Sequence, residues 1–471
     1  MEKNSEILIS IKNIISQFGK KGITSNDIGQ KINLERHTLS KYLNILNASG
    51  EINMKKIGNL RLWYPVSDLA DINAAVFHSK EKNEKLLAEE LSSSIKKKIY
   101  NPKYIIVFIT HYNDLKKFLK HFTAEFSKET KIFGCTVTGP ISSDNYCYEG
   151  VSVIAIEGNS IEIGLGLAEK VKENPIEAGK IVSQVSLDNL SRDSELVTKS
   201  MFSKTQMCSL LFADGFCGRE EDILLGVLEV LQNKSRVFGG SGGDFNRDEK
   251  TYIFIDDKVY TNSILMATIL TDSKIEITTN HGWKVDKHLG LVNKAEGRRV
   301  YEINNQSASK YYADILGIEE KELIAKGDIF DSIGLEHPFA TFDLHGEYWL
   351  RHPRKVNRDG SMEFFSKVPK GVALSIAHFN KEDLLDITRK TARTAKKECG
   401  EPVFGFVFNC YARKQVLNES DSQRESAIIS NELGCPYIGF FAIGEQSASK
   451  YGSVNHKNQS INFCLFSKQK K

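Results

Sequence analysis

The sequence predicts a multidomain chain. A small head of three helices and a hairpin precedes a large mixed α+β body with extensive antiparallel sheet. Three observations carry this. The first 66 residues alternate helical apolar stripes with capping signals and end in two short strands. From Tyr104 onward strand pairs outnumber strand–helix–strand crossovers. And 471 residues are enough for about three domains at roughly 150 residues each.

In the head, Ile7, Leu8, Ile11, Ile14, Ile15 and Phe18 form a helical stripe that Gly19 and Gly22 break. Thr24-Ser25-Asn26-Asp27 caps a second helix with Ile28 and Ile32 inward. A third helix is expected from Glu35 to Ser49 with Leu39, Leu43 and Leu46 inward, followed by strands at Glu51–Lys56 and Leu60–Tyr64. Three helices and a hairpin resemble a winged helix-turn-helix. The third helix then presents Arg36, His37, Thr38, Ser40, Lys41 and Asn44 to base edges and phosphates, and the wing adds Lys55, Lys56 and Arg61. Charge agrees: residues 1–66 hold ten Lys/Arg against five Asp/Glu, a net of +5 in a chain of net +3. The alternative is a head that contacts protein. Residues 67–102 are expected as a helical linker, either solvated or pairing two chains as a homodimer.

In the body, strands are expected at Tyr104–Thr110, Lys131–Cys135, Val151–Ile156, Glu162–Leu167, Gln206–Ala213 and Arg236–Phe238, with a second block from Glu336. Expected domain limits are 1–66, 67–102, 103–335 and 336–471. No apolar run approaches the roughly 18 residues that span a bilayer, and no secretory signal is visible, so a cytoplasmic protein without a membrane partner is expected. The eight cysteines form no C-x-x-C pair and are expected as reduced thiols.

Chemical motifs are sparse. Gly239-Gly240-Ser241-Gly242-Gly243 fits G-x-S-x-G, but no helix is expected after it, so Ser241 is read as structural rather than as a hydrolase nucleophile. No phosphate-binding loop occurs, and no histidine spacing marks a metal site. The hexapeptide Gln306–Tyr311 recurs at Gln446–Tyr451 in a different context and is read as chance.

Several stretches in order resemble the FIST family, with its FIST N and FIST C domains. They are Phe133-Gly134-Cys135-Thr136, Leu211–Gly215, Val237–Asp244, His281-Gly282-Trp283, Val300–Asn304, Phe408–Arg413 and Gly439–Glu445. The resemblance implies a sensory body for a small ligand, amino acids being one proposal, with Gly134, Cys135, Thr136, Gly239, Gly240, Asp244, Cys410, Arg413, Gly444 and Glu445 around it. Some members bind haem and sense nitric oxide; the reading here is no cofactor, with haem as the alternative. Head plus body then make a one-component transcription regulator with DNA and a small ligand as partners, not an enzyme. The rivals are an enzyme using Cys135, Cys410 or Ser241, and a signalling adaptor. Arg413 and Glu445 each follow an apolar strand. They are expected either to pair with each other or to hold a ligand's carboxylate and amine.

Overall fold

The computed structural model describes residues 2–18, 22–49, 51–57, 60–65, 72–110, 114–143, 149–190, 196–197, 205–232, 234–243, 250–342, 347–448 and 454–468. In the head, helices Glu2–Phe18, Ser25–Ile32 and Arg36–Ala48 enclose Ile11, Ile15, Ile28, Leu39, Leu43, Leu46 and Trp63. A three-stranded sheet runs Ile23–Thr24, Leu60–Pro65, Ile52–Ile57 in spatial order. Thr24 caps the second helix by accepting from the Asp27 amide at 3.2 Å, and Asn33 ends it in the left-handed region at φ 51°.

The body is a threefold repeat. Each unit holds an edge strand, a helix, a first central strand, a second helix, a parallel second central strand, and a return strand antiparallel to the first central one. In the first unit these are Asn73–Ser79, Glu84–Lys98, Tyr104–Ile109, Leu115–Ala124, Lys131–Thr136 and Val151–Glu157. In the second they are Ile161–Glu169, Pro175–Asp188, Gln206–Asp214, Glu220–Leu231, Arg236–Gly242 and Ser263–Thr271. In the third they are Ile275–Asn280, Lys381–Cys399, Pro402–Cys410, Glu419–Leu433, Tyr437–Ala442 and Ile461–Ser467. A nine-stranded sheet drawn from residues 284–378 is inserted after the third unit's edge strand.

The units exchange strands cyclically. Pro140–Ser142 of the first joins the third unit's sheet, beside Tyr437–Ala442. Ile253–Ile255 of the second joins the first sheet, beside Lys131–Thr136. Glu445–Ala448 of the third joins the second sheet, beside Arg236–Gly242. Each donated strand extends the parallel pair of its host.

Apolar sequence on both faces of the central strands makes this possible, because helices cover the outer faces and the inner faces meet each other. At the meeting point Phe108, Phe212 and Phe408 occupy equivalent places. Their ring centroids are 5.3, 6.2 and 6.3 Å apart, all edge to face. A glycine recurs one step away on the second central strands. A Cβ on Gly134, Gly239 or Gly439 would lie 1.8, 2.1 or 1.6 Å from the carbonyl oxygen of Val107, Leu211 or Val407.

Three sequence expectations change. Among the described residues of 67–102 the expected helical linker is replaced: Asn73–Ser79 is a body strand paired with Val151–Glu157, and Glu84–Lys98 alone is helical. The boundary at 335/336 cuts the inserted sheet, where Phe339–Phe342 pairs with Ala373–His378 and that strand pairs with Gly290–Glu296. The strand expected to stop at Phe238 continues to Gly242, because its extra residues pair with Leu211–Asp214 and two of them, Gly239 and Gly240, also receive the donated strand.

The glycine of the repeat gives a first prediction. Gly439→Ala should destabilise the protein by about 1–3 kcal/mol, the usual cost of forcing a methyl into a packed core, measured by urea denaturation. An unchanged midpoint would mean that the strand pair opens without cost.

Candidate functional site

A cavity of about 540 Å³ lies beyond the carboxyl ends of the central strands. All three units contribute to its floor: Thr138 from the first, Gly215 and Phe216 from the second, Cys410 and Ile443 from the third. The inserted sheet and its connections close it with Phe330, His352, Arg354 and Phe365. The volume suits a small metabolite, and the carboxyl ends of parallel strands are where open α/β sheets present ligand sites.

Its walls are aromatic and its polar groups carry both signs. The Arg354 guanidinium lies over the Phe365 ring at 5.8 Å. Lys414 lies over Tyr411 at 5.4 Å and Phe441 at 5.0 Å, and burial pushes its amine down to about 8. Asp331 accepts from Gln415 Nε2 at 2.6 Å, and Asp328 accepts from the Phe330 amide at 3.0 Å. Arg298 is held by Glu220 at 2.8 Å and Glu221 at 2.9 Å; Arg354 and Lys414 also line the cavity.

The predicted ligand residues are placed less favourably. Of the ten, Cys410 alone lines this cavity, and Asp244 lies outside the described residues. Gly134, Cys135 and Gly239 are core positions, and burial raises the Cys135 thiol well above its usual range. Thr136 accepts from the Tyr252 amide at 2.8 Å, tying down a donated strand. Gly240 makes room for the Phe440 ring, and Gly444 for the His456 ring. Ser241 is fully buried and accepts from Gln446 Nε2 at 2.9 Å, so its hydroxyl is committed inside the sheet.

Arg413 and Glu445 do not pair. Arg413 is fully buried and bonds Glu425 at 2.6 Å. Its remaining donors go to Asn409 Oδ1, Thr388 Oγ1 and the carbonyls of His281 and Leu384. With all three of its nitrogens bonded inside the protein, it holds two helices and the turn before Trp283 together and lines neither this cavity nor the one beside Lys457. Glu445 instead accepts from the Ser460 amide at 3.2 Å and hydroxyl at 2.8 Å. Burial pushes its carboxyl up to about 8, against those hydrogen bonds.

Sequence reasoning missed Lys457. It is 2% exposed, donates to Ser447 Oγ at 2.6 Å and rests on the Trp349 ring at 4.3 Å. It lines a second cavity of about 860 Å³, set between the helix Lys381–Cys399, the strand Ile275–Asn280 and the inserted strand Tyr348–Arg351. Nothing local in Asn455-His456-Lys457-Asn458 marks the lysine as buried; strand exchange makes it so. Among the described residues no cluster of three or more His, Cys, Asp or Glu is arranged to hold a metal.

Two predictions follow from the buried charges. Glu425→Gln strands the Arg413 charge and should cost about 3–5 kcal/mol in denaturant melts; little change would mean that the four other acceptors suffice. Glu445 works the other way. Its folded carboxyl titrates near 8 and its unfolded one near 4.5, so the native state loses stability as pH rises between those values. Glu445→Gln should therefore raise Tm relative to wild type by a margin that grows from pH 5 to pH 8. A pH-independent difference would show that Glu445 is ionised in the native state.

Residues 103–306 match the FIST N domain and residues 308–448 the FIST C domain. The uncharacterized protein MJ1623 of Methanocaldococcus jannaschii is 22% identical over 393 residues, covering 78% of this chain and 71% of that protein. Among the described residues no helix is long and apolar enough to cross a membrane. The ordered sequence stretches, the mixed α/β body with its extensive sheets and the two adjoining domain matches agree: across residues 103–448 the chain belongs to the FIST family, a FIST N domain followed by a FIST C domain.

Proposed function

We propose that this protein is a one-component transcription regulator in which a winged helix-turn-helix head binds DNA and the FIST body senses a small zwitterionic metabolite in the 540 Å³ cavity. FIST domains are generally sensory modules of signal transduction, which supports the second half.

One observation carries the first half. The helix Arg36–Ala48 buries Leu39, Leu43 and Leu46 and exposes Arg36, His37, Thr38, Ser40, Lys41 and Asn44. Lys55, Lys56 and Arg61 are exposed on the adjoining hairpin, Lys56 directly opposite Arg61. A helix that keeps its apolar edge for the core and offers cations and hydrogen-bonding groups outward suits a major groove, with the hairpin cations on the flanking phosphates.

For the ligand, the cavity's mixed polarity favours a molecule with an anionic and a cationic end: Arg354 and Lys414 for a carboxylate, Asp328 and Asp331 for an amine, and the aromatic walls for an apolar side chain. Haem does not fit these residues: Cys410 is a buried thiol raised well above its usual range, and His352 is wedged between Phe330 and Phe365 with Nε2 3.2 Å from a carbonyl oxygen. Coupling requires the ligand to favour one arrangement of head and body. The two touch where Gln17 Nε2 donates to the Tyr100 hydroxyl at 3.2 Å.

Replacing Lys55 and Lys56 by Ala should weaken binding on every DNA sequence and flatten the salt dependence of log K by roughly two, about one per lost phosphate contact. Gel shifts at several salt concentrations measure it. An unchanged affinity and slope would remove the hairpin from the interface, and no salt-dependent binding by the wild type would favour an adaptor.

A further inference from the structure

The second cavity is distinct from the sensing site proposed above, although Asn458 lines both. Its wall carries a primary amine out of water: Lys457 Nζ, with the Ser447 hydroxyl on one side and the Trp349 indole on another. Among the described residues no carboxylate comes within ion-pair distance of this amine. We propose that the cavity takes an uncharged carbonyl compound, a hydroxy-aldehyde or ketone, and that Lys457 captures it as a reversible imine.

The chemistry balances without a further reactant. Nζ attacks the carbonyl carbon and the C–N bond forms. The carbonyl oxygen collects both Nζ protons and leaves as water, and a C=N bond remains. No electrons are exchanged, and water reverses the step. A nucleophilic amine must be neutral, and burial holds Lys457 down to about 7, so an appreciable share carries a free lone pair at neutral pH. Glu347, and Glu445 where it ionises, oppose this shift only in part. Across the cavity His281 is driven down to about 3 by burial and by the positive charges of Arg413 and Lys457, so it is neutral and adds no competing cation. Its Nδ1 accepts from the Trp283 amide at 3.0 Å.

Charge selects the ligand class. The rim carries more carboxylates, Glu347, Asp383 and Asp386 among them, than amines. A keto acid would enter against that field, whereas a neutral hydroxy-aldehyde meets hydroxyl and amide partners in Thr279, Asn458 and Ser460.

Full-length protein is incubated with glyceraldehyde and, separately, glyoxylate under sodium cyanoborohydride, and the adducts are mapped by peptide mass spectrometry. Lys457 should acquire the glyceraldehyde adduct ahead of every exposed lysine and the glyoxylate adduct more slowly; Lys457→Met should lose the adduct. Competitive acetylation of the wild type across pH, which needs no variant, should show Lys457 reactivity half-developed at about pH 7. Modification spread over exposed lysines with Lys457 untouched, or Lys457 reactivity still climbing at pH 10, overturns the proposal. Faster capture of glyoxylate than of glyceraldehyde overturns the ligand class.

Discussion

The packing of Phe108, Phe212 and Phe408 about one axis is the constraint on which the rest of the body depends. Three sheets can share a core only if each brings an apolar inner face to the same point, and edge-to-face aromatic contacts fix their mutual rotation more sharply than aliphatic packing would. Once the faces are set, each second central strand has its outer edge beside the neighbouring unit. An exposed edge of that kind is a liability, and the cyclic donation of strands covers all three. The hydrogen bonds at the crossings repeat as well. Ser241 N donates to Gly444 O, Phe441 N to Gly139 O and Thr136 N to Tyr252 O, so equivalent positions are clamped by successive units.

Both cavities are consequences of this arrangement. The strands end together around the axis, and the side chains just past their ends form the floor of the 540 Å³ cavity. The strand Glu445–Ala448 leaves its own sheet to join another, and its hairpin partner Val454–Lys457 follows. That path carries Glu445, Gln446, His456 and Lys457 into the seam between the core and the inserted sheet, where polar side chains are buried in a density unusual for a protein interior.

Much of this was legible in the sequence, and the omissions have physical causes. The helices and strands of the head follow from local apolar spacing and caps, which is why Leu39, Leu43 and Leu46 were placed inward correctly. The ordered FIST stretches located the body. The threefold repeat was hidden because Ile132-Phe133-Gly134, Val237-Phe238-Gly239 and Tyr437-Ile438-Gly439 share little beyond one glycine, and residues 284–378 break the period. The strand Asn73–Ser79 reads as helix from sequence because its alternation is weak and its partner lies some 80 residues on. Neither partner expected for Arg413, Glu445 or a ligand, is the one found, because packing brings it Glu425 from the helix Glu419–Leu433. Long-range partners of buried charges are set by packing, and local sequence does not encode them.

The central claim is that the axial cavity is where the body reads its ligand, and hydrogen exchange tests it most directly. The full-length protein is labelled with and without a complete set of the proteinogenic amino acids, and protection is mapped by peptide. Protection is expected in the segments around Gly215, Asp328–Asp331, His352–Phe365 and Cys410–Lys414, together with altered exchange near Gln17 and Tyr100. Protection confined to other segments, or no change anywhere in the body, would contradict it.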